Sequence, residues 1–352
     1  MNSAQIKIKK IKLKQLDEFA RSCLSDPAFA EVAPISILRA KSQSQNPQAE
    51  PDDLALLAAL HENRCVGYHG LLPGWIKNKD RLSKIYWLVT FYLAAPFRGQ
   101  GYGKRLVTEI QNTKVDLVTT GITAAAAGVY RSMGFRQLGE LSYYQLRLDN
   151  VSILTDILET FKAREKTFKA RWAYPLPAKA QPVITGRSST ISFQRDLPTI
   201  NWMIRNPWVV SRAQARNDVK HYHFSRVRDL FRFIPLEILA PDGKACKGYL
   251  VLSVSRNKNK TILKVLDFSF HNSKNIFIAG LLAMKYARDY RADRLEYPAE
   301  LAAFLGNLPD LIQMIKKKKR LYLFYPQSNC SPLSAGADNI ELNYCDSDTA
   351  FT

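Results

Sequence analysis

The stretch with the most chemistry in it is short. Residues 93–104 read Leu-Ala-Ala-Pro-Phe-Arg-Gly-Gln-Gly-Tyr-Gly-Lys. Gly99, Gly101 and Gly103 admit positive φ and lack the Cβ atoms that would block a close approach, so the backbone N–H groups of such a turn can converge on an anion. A helix starting at its far end adds a positive terminus and unsatisfied amides. Together these parts form an anion cradle suited to a pyrophosphate, and Arg98 and Lys104 add charge to hold it. Two other phosphate motifs do not fit. The glycines alternate with single residues and do not form Gly-x-Gly-x-x-Gly. Gly103-Lys104 is followed by Arg105, not by the hydroxyl residue that a Walker-type loop uses to hold Mg²⁺.

A strand and a helix must position that turn. Residues 84–94 (KIYWLVTFYLA) are β-branched and aromatic, the composition of a buried strand, and residues 103–112 carry helical patterning. Upstream, residues 6–14 alternate apolar and basic side chains with the period of a half-buried strand, and residues 16–24 are patterned as a helix. The polar stretch 41–53 predicts a long, mobile loop. Residues 54–60 and 64–72 predict a hairpin joined by His61-Glu62-Asn63 and ended by Pro73-Gly74. Downstream come a strand over 115–122, a helix of small residues over 124–133 and one or two strands over 136–148. Gly134 stands where a helix end favours positive φ. This alternation predicts an α/β (α+β) domain with a mixed sheet over residues 1–150.

A helix over 152–168, followed by Pro175, Pro177 and Pro182, predicts a connector and linker over 151–190. The second domain, 191–352, partly replays the order of the first. A hairpin over 236–239 and 247–254 surrounds Pro241-Asp242-Gly243. A strand at 261–270, a helix at 276–290, a strand at 294–297, a helix at 298–305 and a strand at 320–325 follow. The duplication is one of architecture, without a sequence repeat.

Composition limits the class. With 46% hydrophobic and 23% charged residues, the chain is expected to pack as a globular protein. Its apolar runs fall short of the ~20 residues of a membrane-spanning helix, and the N-terminus lacks the apolar segment of a secretory signal. Five cysteines (Cys23, Cys65, Cys246, Cys330, Cys345) are scattered without metal-ligand spacing, which argues against a metal site or disulfide framework and for a reducing cytoplasm. The net charge of +20 suits a polyanionic partner, whether nucleic acid, an anionic membrane surface or a phosphorylated small molecule. The basic residues concentrate at Lys7, Lys9, Lys10, Lys12 and Lys14 and again at 316–320, where solvated faces are the plainer explanation.

The segment Arg98-Gly-Gln-Gly-Tyr-Gly103 resembles the acyl-CoA loop of the GNAT acetyltransferase family. Val66-Gly-Tyr-His-Gly-Leu-Leu-Pro73 is similar to the third-strand segment of many members, and Tyr130-Arg-Ser-Met-Gly134-Phe135 resembles the Tyr-x-x-x-Gly-Phe ending of the family's fourth helix. The resemblance covers residues 1–150. It implies a GNAT-type mixed central sheet with flanking helices, followed by a second, degenerate GNAT-like domain, an arrangement similar to tandem GNAT proteins. It implies acetyl-CoA as co-substrate, with no metal. The backbone near Leu93 and Ala95 would hold the pantetheine arm, and Arg98, Gly99, Gln100, Gly101, Tyr102, Gly103 and Lys104 the pyrophosphate. Tyr130 would stand near the thioester sulfur as proton donor.

That chemistry needs fixed N–H donors for the charge building on the thioester carbonyl, and a nucleophile in its neutral form. Thr123 occupies a position, seven before Tyr130, where the family often has Asn, and residues 85–93 carry no carboxylate where many members keep a general base. The base is then His69, Glu62 acting through water, or solvent alone. Tyr130 and His69 also read as ordinary core side chains. In the second domain residues 270–281 take the place of the acyl-CoA loop without its motif, which predicts loss of CoA binding and a role in shaping the acceptor cleft. Asn206-Pro207-Trp208 and Asp346-Ser347-Asp348 are candidate acceptor contacts.

The expectation is a cytoplasmic N-acetyltransferase acting on a primary amine of a small or sugar-like substrate. One alternative is a Fem-like aminoacyl-tRNA-dependent transferase, which the positive charge suits and the acyl-CoA loop does not, so a nucleic-acid partner is not favoured. Another is a non-catalytic acyl-CoA sensor or scaffold. Oligomeric state is not encoded in any of these signals.

Overall fold

A computed structural model describes residues 6–78, 81–148, 155, 158–159, 162–181, 191–212, 215, 221–302, 315–328, 331–335 and 340–351. β1 (Lys7–Lys12), β2 (Leu54–His61), β3 (Arg64–Asn78) and β4 (Arg81–Leu93) form an antiparallel meander, and β4 then runs parallel to β5 (Asp116–Thr120). α1 (Leu16–Ser22) and α2 (Ile37–Gln43) cover one face of this sheet, and α3 (Tyr102–Gln111) and α4 (Ala124–Ser132) cover the other. The run Leu-Ala-Leu-Leu-Ala-Ala of β2 is apolar without alternation because both faces are buried. The β2–β3 turn puts Glu62 and Asn63 at φ 49° and 61°, the left-handed pair whose twist matches a tight hairpin.

β6 (Arg136–Arg147) closes the first lobe. The second contains β7 (Lys169–Trp172), β8 (Ile191–Phe193), α5 (Leu197–Arg205), β9 (Val209–Ser211), β10 (Arg226–Arg228) and β11 (Leu230–Leu239). β12 (Cys246–Asn257), β13 (Lys260–Phe270), α6 (Ile276–Asp289), β14 (Arg294–Pro298), β15 (Ile315–Tyr325) and β16 (Ile340–Glu341) complete it. One mixed sheet spans both lobes in the order β1-β2-β3-β4-β5-β15-β6-β14-β13-β12-β11-β7, with β8 and β16 attached at the far end of β3.

The middle of that order is an exchange. β15 lies between β5 and β6, and β6 lies between β15 and β14. Outward from the β15–β6 pair, each direction meets a parallel pair and then an antiparallel hairpin, so the lobes are related by an approximate twofold axis through the sheet. Each closing strand covers a sheet edge of the other lobe, where bare N–H and C=O groups would otherwise be exposed. A shared core on the α1–α2 face joins Trp87, Val118 and Tyr322 to Trp202, Phe233, Tyr249 and Phe351.

Several sequence expectations need correction. Residues 41–53 are packed, not a mobile loop. After α2, Asn46 Nδ2 donates to the Pro73 carbonyl at 2.8 Å, and Gln48 Nε2 donates to the Gln194 carbonyl and Thr199 Oγ1, both at 2.9 Å. The polar composition serves buried hydrogen bonds. Pro73-Gly74 does not end the hairpin strand, because β3 continues to Asn78. On its far side β3 pairs with β2 as far as Gly70 and with β8 from Ile76, so the missing N–H of Pro73 falls where no strand asks for it.

β15 begins five residues before the expected strand. The lysine run is therefore strand rather than loop, with Lys319 at 3.1 Å from Glu140 across the β15–β6 pair. Residues 169–172 add an edge strand to β11, and Leu176 and Ala180 beyond them are buried. Residues 299–301 form one 3-10 turn. The rest of the helix expected to 305, most of the helix expected over 152–168, Pro182 and Cys330 lie outside the described residues. Among the described residues no helix is long and apolar enough to cross a membrane.

Candidate functional site

The site is organised by a gap. β4 pairs with β5 only from Ile85 to Trp87, opposite Asp116 to Val118, and beyond that the two strands diverge. Thr119 Oγ1 reaches the Leu88 carbonyl at 3.1 Å at the point of divergence. The register of β3 against β4 also slips there, so that Gly70 faces Val89 while Tyr68 faces Tyr92. Thr90, in this bulge, has φ 53°. A bulge kinks its strand and turns backbone groups away from the ladder, here toward the opening.

At the end of β4 the chain enters the glycine-rich turn. Ala95 sits in a 3-10 turn, Ala95–Phe97, and the Ala94 N–H beside it donates to the Val66 carbonyl at 2.8 Å. Gly99 and Gly101 have φ 78° and 80°, a region that costs any other L-residue about 1–2 kcal/mol. α3 starts at Tyr102 with no side chain capping it. Among the described residues, the N–H groups of residues 99–104 have no acceptor, and the first one engaged is that of Arg105, on the Gly101 carbonyl at 3.1 Å. The amides of the turn are thus presented outward. Gly103 is buried against Phe91. Gln100 Nε2 braces the turn through the Pro96 carbonyl at 2.7 Å, and Arg98 Nε folds back on the Leu93 carbonyl at 2.9 Å. Lys104 is exposed and has no ion-pair partner among the described residues.

On the α3–α4 side of the gap, the two catalytic candidates meet. Tyr130 Oη lies 2.7 Å from His69 Nε2, and His69 Nδ1 lies 3.1 Å from the Gly70 carbonyl. A carbonyl can only accept, so Nδ1 carries the proton, Nε2 keeps its lone pair, and the Tyr130 hydroxyl donates to it. Both side chains are buried. The His69 ring stacks on Phe91, centroids 4.8 Å apart. Burial pushes the imidazolium of His69 down to about 4, against the upward pull of the Gly70 and Val89 backbone. Burial likewise pushes the Tyr130 phenol far above its ordinary value, the Thr119 hydroxyl acting the other way. Glu62 stands apart, in the exposed β2–β3 turn.

A family model described as "Acetyltransferase (GNAT) domain" matches residues 52–137, which run from the start of β2 through the loop, α3 and α4 into β6. The chain carries a GNAT acyltransferase domain. No curated protein sequence matches the chain. Solved structures match it in fold across both lobes. A GCN5-related N-acetyltransferase from Anabaena variabilis aligns over 93% of this chain and 74% of its own, with TM-score 0.54 and 14% identity. A tandem GNAT protein from the clavulanic acid biosynthesis pathway aligns over 93% and 100%, with TM-score 0.51 and 12% identity. The N-myristoyltransferase of Saccharomyces cerevisiae aligns over 97% and 85%, with TM-score 0.54 and 8% identity.

On the opposite face of the GNAT domain, above the β4 bulge, lies a cluster that sequence reasoning found only in part. The buried guanidinium of Arg39 (α2) lies 3.6 Å over the Trp208 ring, donates to the Tyr222 hydroxyl, and reaches Asp348 Oδ2 at 3.3 Å. Asn206 and Trp208 both contact Ser42, through a carbonyl at 3.4 Å and an indole N–H at 2.8 Å. Asp348 and Trp208 are thus brought together, while Asp346 diverges. It is buried 4.0 Å from Arg195, takes the Asn343 N–H at 2.7 Å, and burial raises its carboxyl to about 7. Arg39 and Tyr222 carried no signal in the sequence, being 183 positions apart.

The second lobe repeats the gap without the cradle. β13 pairs with β14 only from Ile262 to Lys264, and its register on β12 slips between Val251 and Leu252. Gly248 faces Phe270 and Tyr249 faces Ser269, as Gly67 faces Leu93 and Tyr68 faces Tyr92. This correspondence exposes a short repeat, Cys65-x-Gly67-Tyr68 and Cys246-x-Gly248-Tyr249, whose cysteines lie against the glycine carbonyls at 3.5 and 3.7 Å. Both glycines permit the close approach that the bulge imposes, since a Cβ on Gly67 would lie 2.7 Å from the Tyr92 carbonyl oxygen. Where the first lobe has its glycine turn, the second has a 3-10 turn, Ser273–Asn275, whose Lys274 N–H is taken by Asn272 Oδ1 at 2.9 Å. Among the described residues, no group of three or more His, Cys, Asp or Glu is placed to hold a metal ion.

Proposed function

We propose that the protein is an acetyl-CoA-dependent N-acetyltransferase that acylates a primary amine of a small or sugar-like substrate. The observation that carries this reading is the row of acceptor-free amides at residues 99–104, at the head of α3 and beside the opening between β4 and β5. Such a row suits the pyrophosphate of CoA, and the opening leaves backbone of β4 near Leu93 and Ala95 for the pantetheine arm. One fold neighbour is described with bound myristoyl-CoA.

In this reading the neutral amine attacks the thioester carbonyl carbon and the C–S bond breaks; the Tyr130 hydroxyl turns from His69 Nε2 to give its proton to the leaving sulfur, and the proton lost from the nitrogen returns through solvent to the Tyr130 oxygen. His69 is a positioning residue. Its lone pair already holds the Tyr130 hydroxyl, and an imidazole pushed down to about 4 is a weak base at neutral pH. The acceptor would therefore shed its proton to solvent or arrive as the free amine. Residues 1–150 form the acyl-CoA lobe, 151–190 a connector that lends β7 to the edge of the second lobe's sheet, and 191–352 an acceptor-shaping lobe that no longer binds CoA. The last point is supported by the self-capped turn at Ser273–Asn275. The unpaired thiols of Cys23, Cys65, Cys246 and Cys345 support a cytoplasmic setting.

One observation favours a second reading, acyl-CoA binding without turnover: β4 brings no carboxylate to the opening. Thiol release divides the two. With an amine panel and acetyl-CoA, the wild type should release free CoA, and Gly101→Asp should abolish both release and the CoA-dependent rise in Tm. Tyr130→Phe should lower kcat while leaving KM for acetyl-CoA unchanged. A wild type that binds CoA and releases no thiol with any amine establishes the second reading. A wild type with no CoA-dependent shift removes both.

A further inference from the structure

Neither β4 nor His69 supplies a base for the acceptor, β4 because it carries no carboxylate and His69 because it already accepts from Tyr130. The second lobe brings a further histidine to the opening. Part of its connection between β9 and β10, residues 221–225, lies on the α1–α2 face of the GNAT domain. The Ala33 N–H, between α1 and α2, donates to the His221 carbonyl at 3.2 Å. Tyr222 is buried, takes a hydrogen bond from Arg39, and stacks on Tyr68 with centroids 5.7 Å apart. Phe224 meets the same Tyr68 edge-on at 6.2 Å, and the Ser225 N–H closes the turn on the Tyr222 carbonyl at 3.0 Å. Between these two anchors His223 is exposed, its ring centroid 4.6 Å from that of Tyr92.

Tyr92 belongs to the part of β4 that has left β5, two residues beyond Thr90 in the bulge. Alternation turns Phe91 to the α3–α4 core and Tyr92 to the α1–α2 side, where it packs with Tyr68 and Tyr222. The α3–α4 side of the opening is filled by the buried His69–Tyr130 pair, so the α1–α2 side is left to the acceptor. At about 3.3 Å per residue, Tyr92 stands roughly 7 Å along the strand from Thr90, and an imidazole beside it reaches the bulge directly or through one water. Other candidates are committed elsewhere. The Asp348 carboxylate is held by Arg39 at 3.3 Å, His61 lies against Phe97 at the glycine turn with centroids 5.1 Å apart, and His271 follows β13 in the second lobe.

We propose that His223 is the general base of the reaction, delivered to the acceptor nitrogen by the second lobe. This rests on the acyltransferase reading and adds a catalytic residue to it. Histidine is the side chain best matched to proton removal at neutral pH. The imidazole takes one proton from the incoming ammonium and hands it to solvent. The neutral nitrogen then attacks the thioester carbon, the C–S bond breaks, and the sulfur takes the Tyr130 proton. The second proton lost from the nitrogen returns through solvent to the Tyr130 oxygen. The two histidines thus have separate tasks, His69 holding the acid and His223 serving the nucleophile. The anchors on either side, Tyr222 and Phe224, fix the base to the strand it serves.

The test is thiol release from acetyl-CoA by the full chain, with glucosamine or whichever amine of the panel the wild type acetylates fastest. His223→Phe keeps a ring beside Tyr92 and removes the nitrogens. Its kcat/KM for the amine should fall about 100-fold or more, with KM for acetyl-CoA and Tm unchanged. His223→Ala should fall as far, and added imidazole should restore part of its rate. His221→Gln, at an exposed position in the same segment, should match the wild type. A His223→Phe rate close to that of the wild type would assign the ring to packing and overturn the proposal. So would a loss in His223→Ala that imidazole does not relieve, or an equal loss in His221→Gln. Failure of the acyltransferase reading looks different: the wild type itself would release no thiol with any amine of the panel.

Discussion

Replacing His69 by glutamine should remove a defined part of the protein's acid sensitivity. His69 is buried and neutral, its Nδ1–H on the Gly70 carbonyl and its Nε2 accepting from Tyr130. Burial lowers its value from 6.5 to about 4. Between those values the unfolded chain binds a proton that the folded one refuses, so the stability His69 contributes is complete above about pH 6.5 and is lost as pH falls toward 4. At about 1.4 kcal/mol per unit, lowering the pH from about 7 to about 5 costs the wild type roughly 2 kcal/mol through this residue. Asp346 acts in the opposite sense. Burial raises its carboxyl to about 7, so its contribution is present in acid and lost as pH rises through that value. The raw profile therefore mixes signs, and the informative quantity is the difference between wild type and His69→Gln, in which all other groups cancel. Urea unfolding of both proteins at about pH 5, 6 and 7 measures it. The wild type's advantage should shrink by roughly 2 kcal/mol from the highest to the lowest pH. An advantage constant to about 0.5 kcal/mol would refute a buried, neutral imidazole, and with it the assignment of the Tyr130 proton.

Two further substitutions test the packing around the openings. Gly248→Ala places a Cβ 2.1 Å from the Ser269 carbonyl oxygen at φ 143°, so β12 and β13 must separate, and denaturant unfolding should show a loss of about 2–4 kcal/mol. Arg39→Met removes the cation shared by Tyr222, Asp348 and Trp208, and the stranded groups should cost about 3–5 kcal/mol in the same measurement. A loss below about 1 kcal/mol would mean that the Arg39 cluster is not buried as described.

What the sequence determined by itself was local. The glycine turn with its acceptor-free amides is legible because those amides come from consecutive residues and Gly99 and Gly101 take positive φ. The centre of β4, residues 85–89, is legible because a stretch buried on both faces must be an unbroken apolar run. Gly134, at φ 87°, closes α4 as expected, for the same steric reason that glycine ends many helices. The Cys-x-Gly-Tyr repeat was also present in the letters, yet four residues carry too little information until strand register aligns them.

The rest was decided in three dimensions. Nothing in residues 315–325 says which edge they will join, because backbone hydrogen bonds are alike for every strand and only the packing of both lobes selects the place between β5 and β6. The polar stretch 41–53 has the composition of a solvated loop, and only the buried carbonyls of Pro73 and Gln194 turn its amides inward. His69 and Tyr130 are 61 positions apart, and Arg39 and Tyr222 are 183 apart. A hydrogen bond acts over about 3 Å whatever the contour length between its partners, so such pairs exist only once the sheet has brought them together.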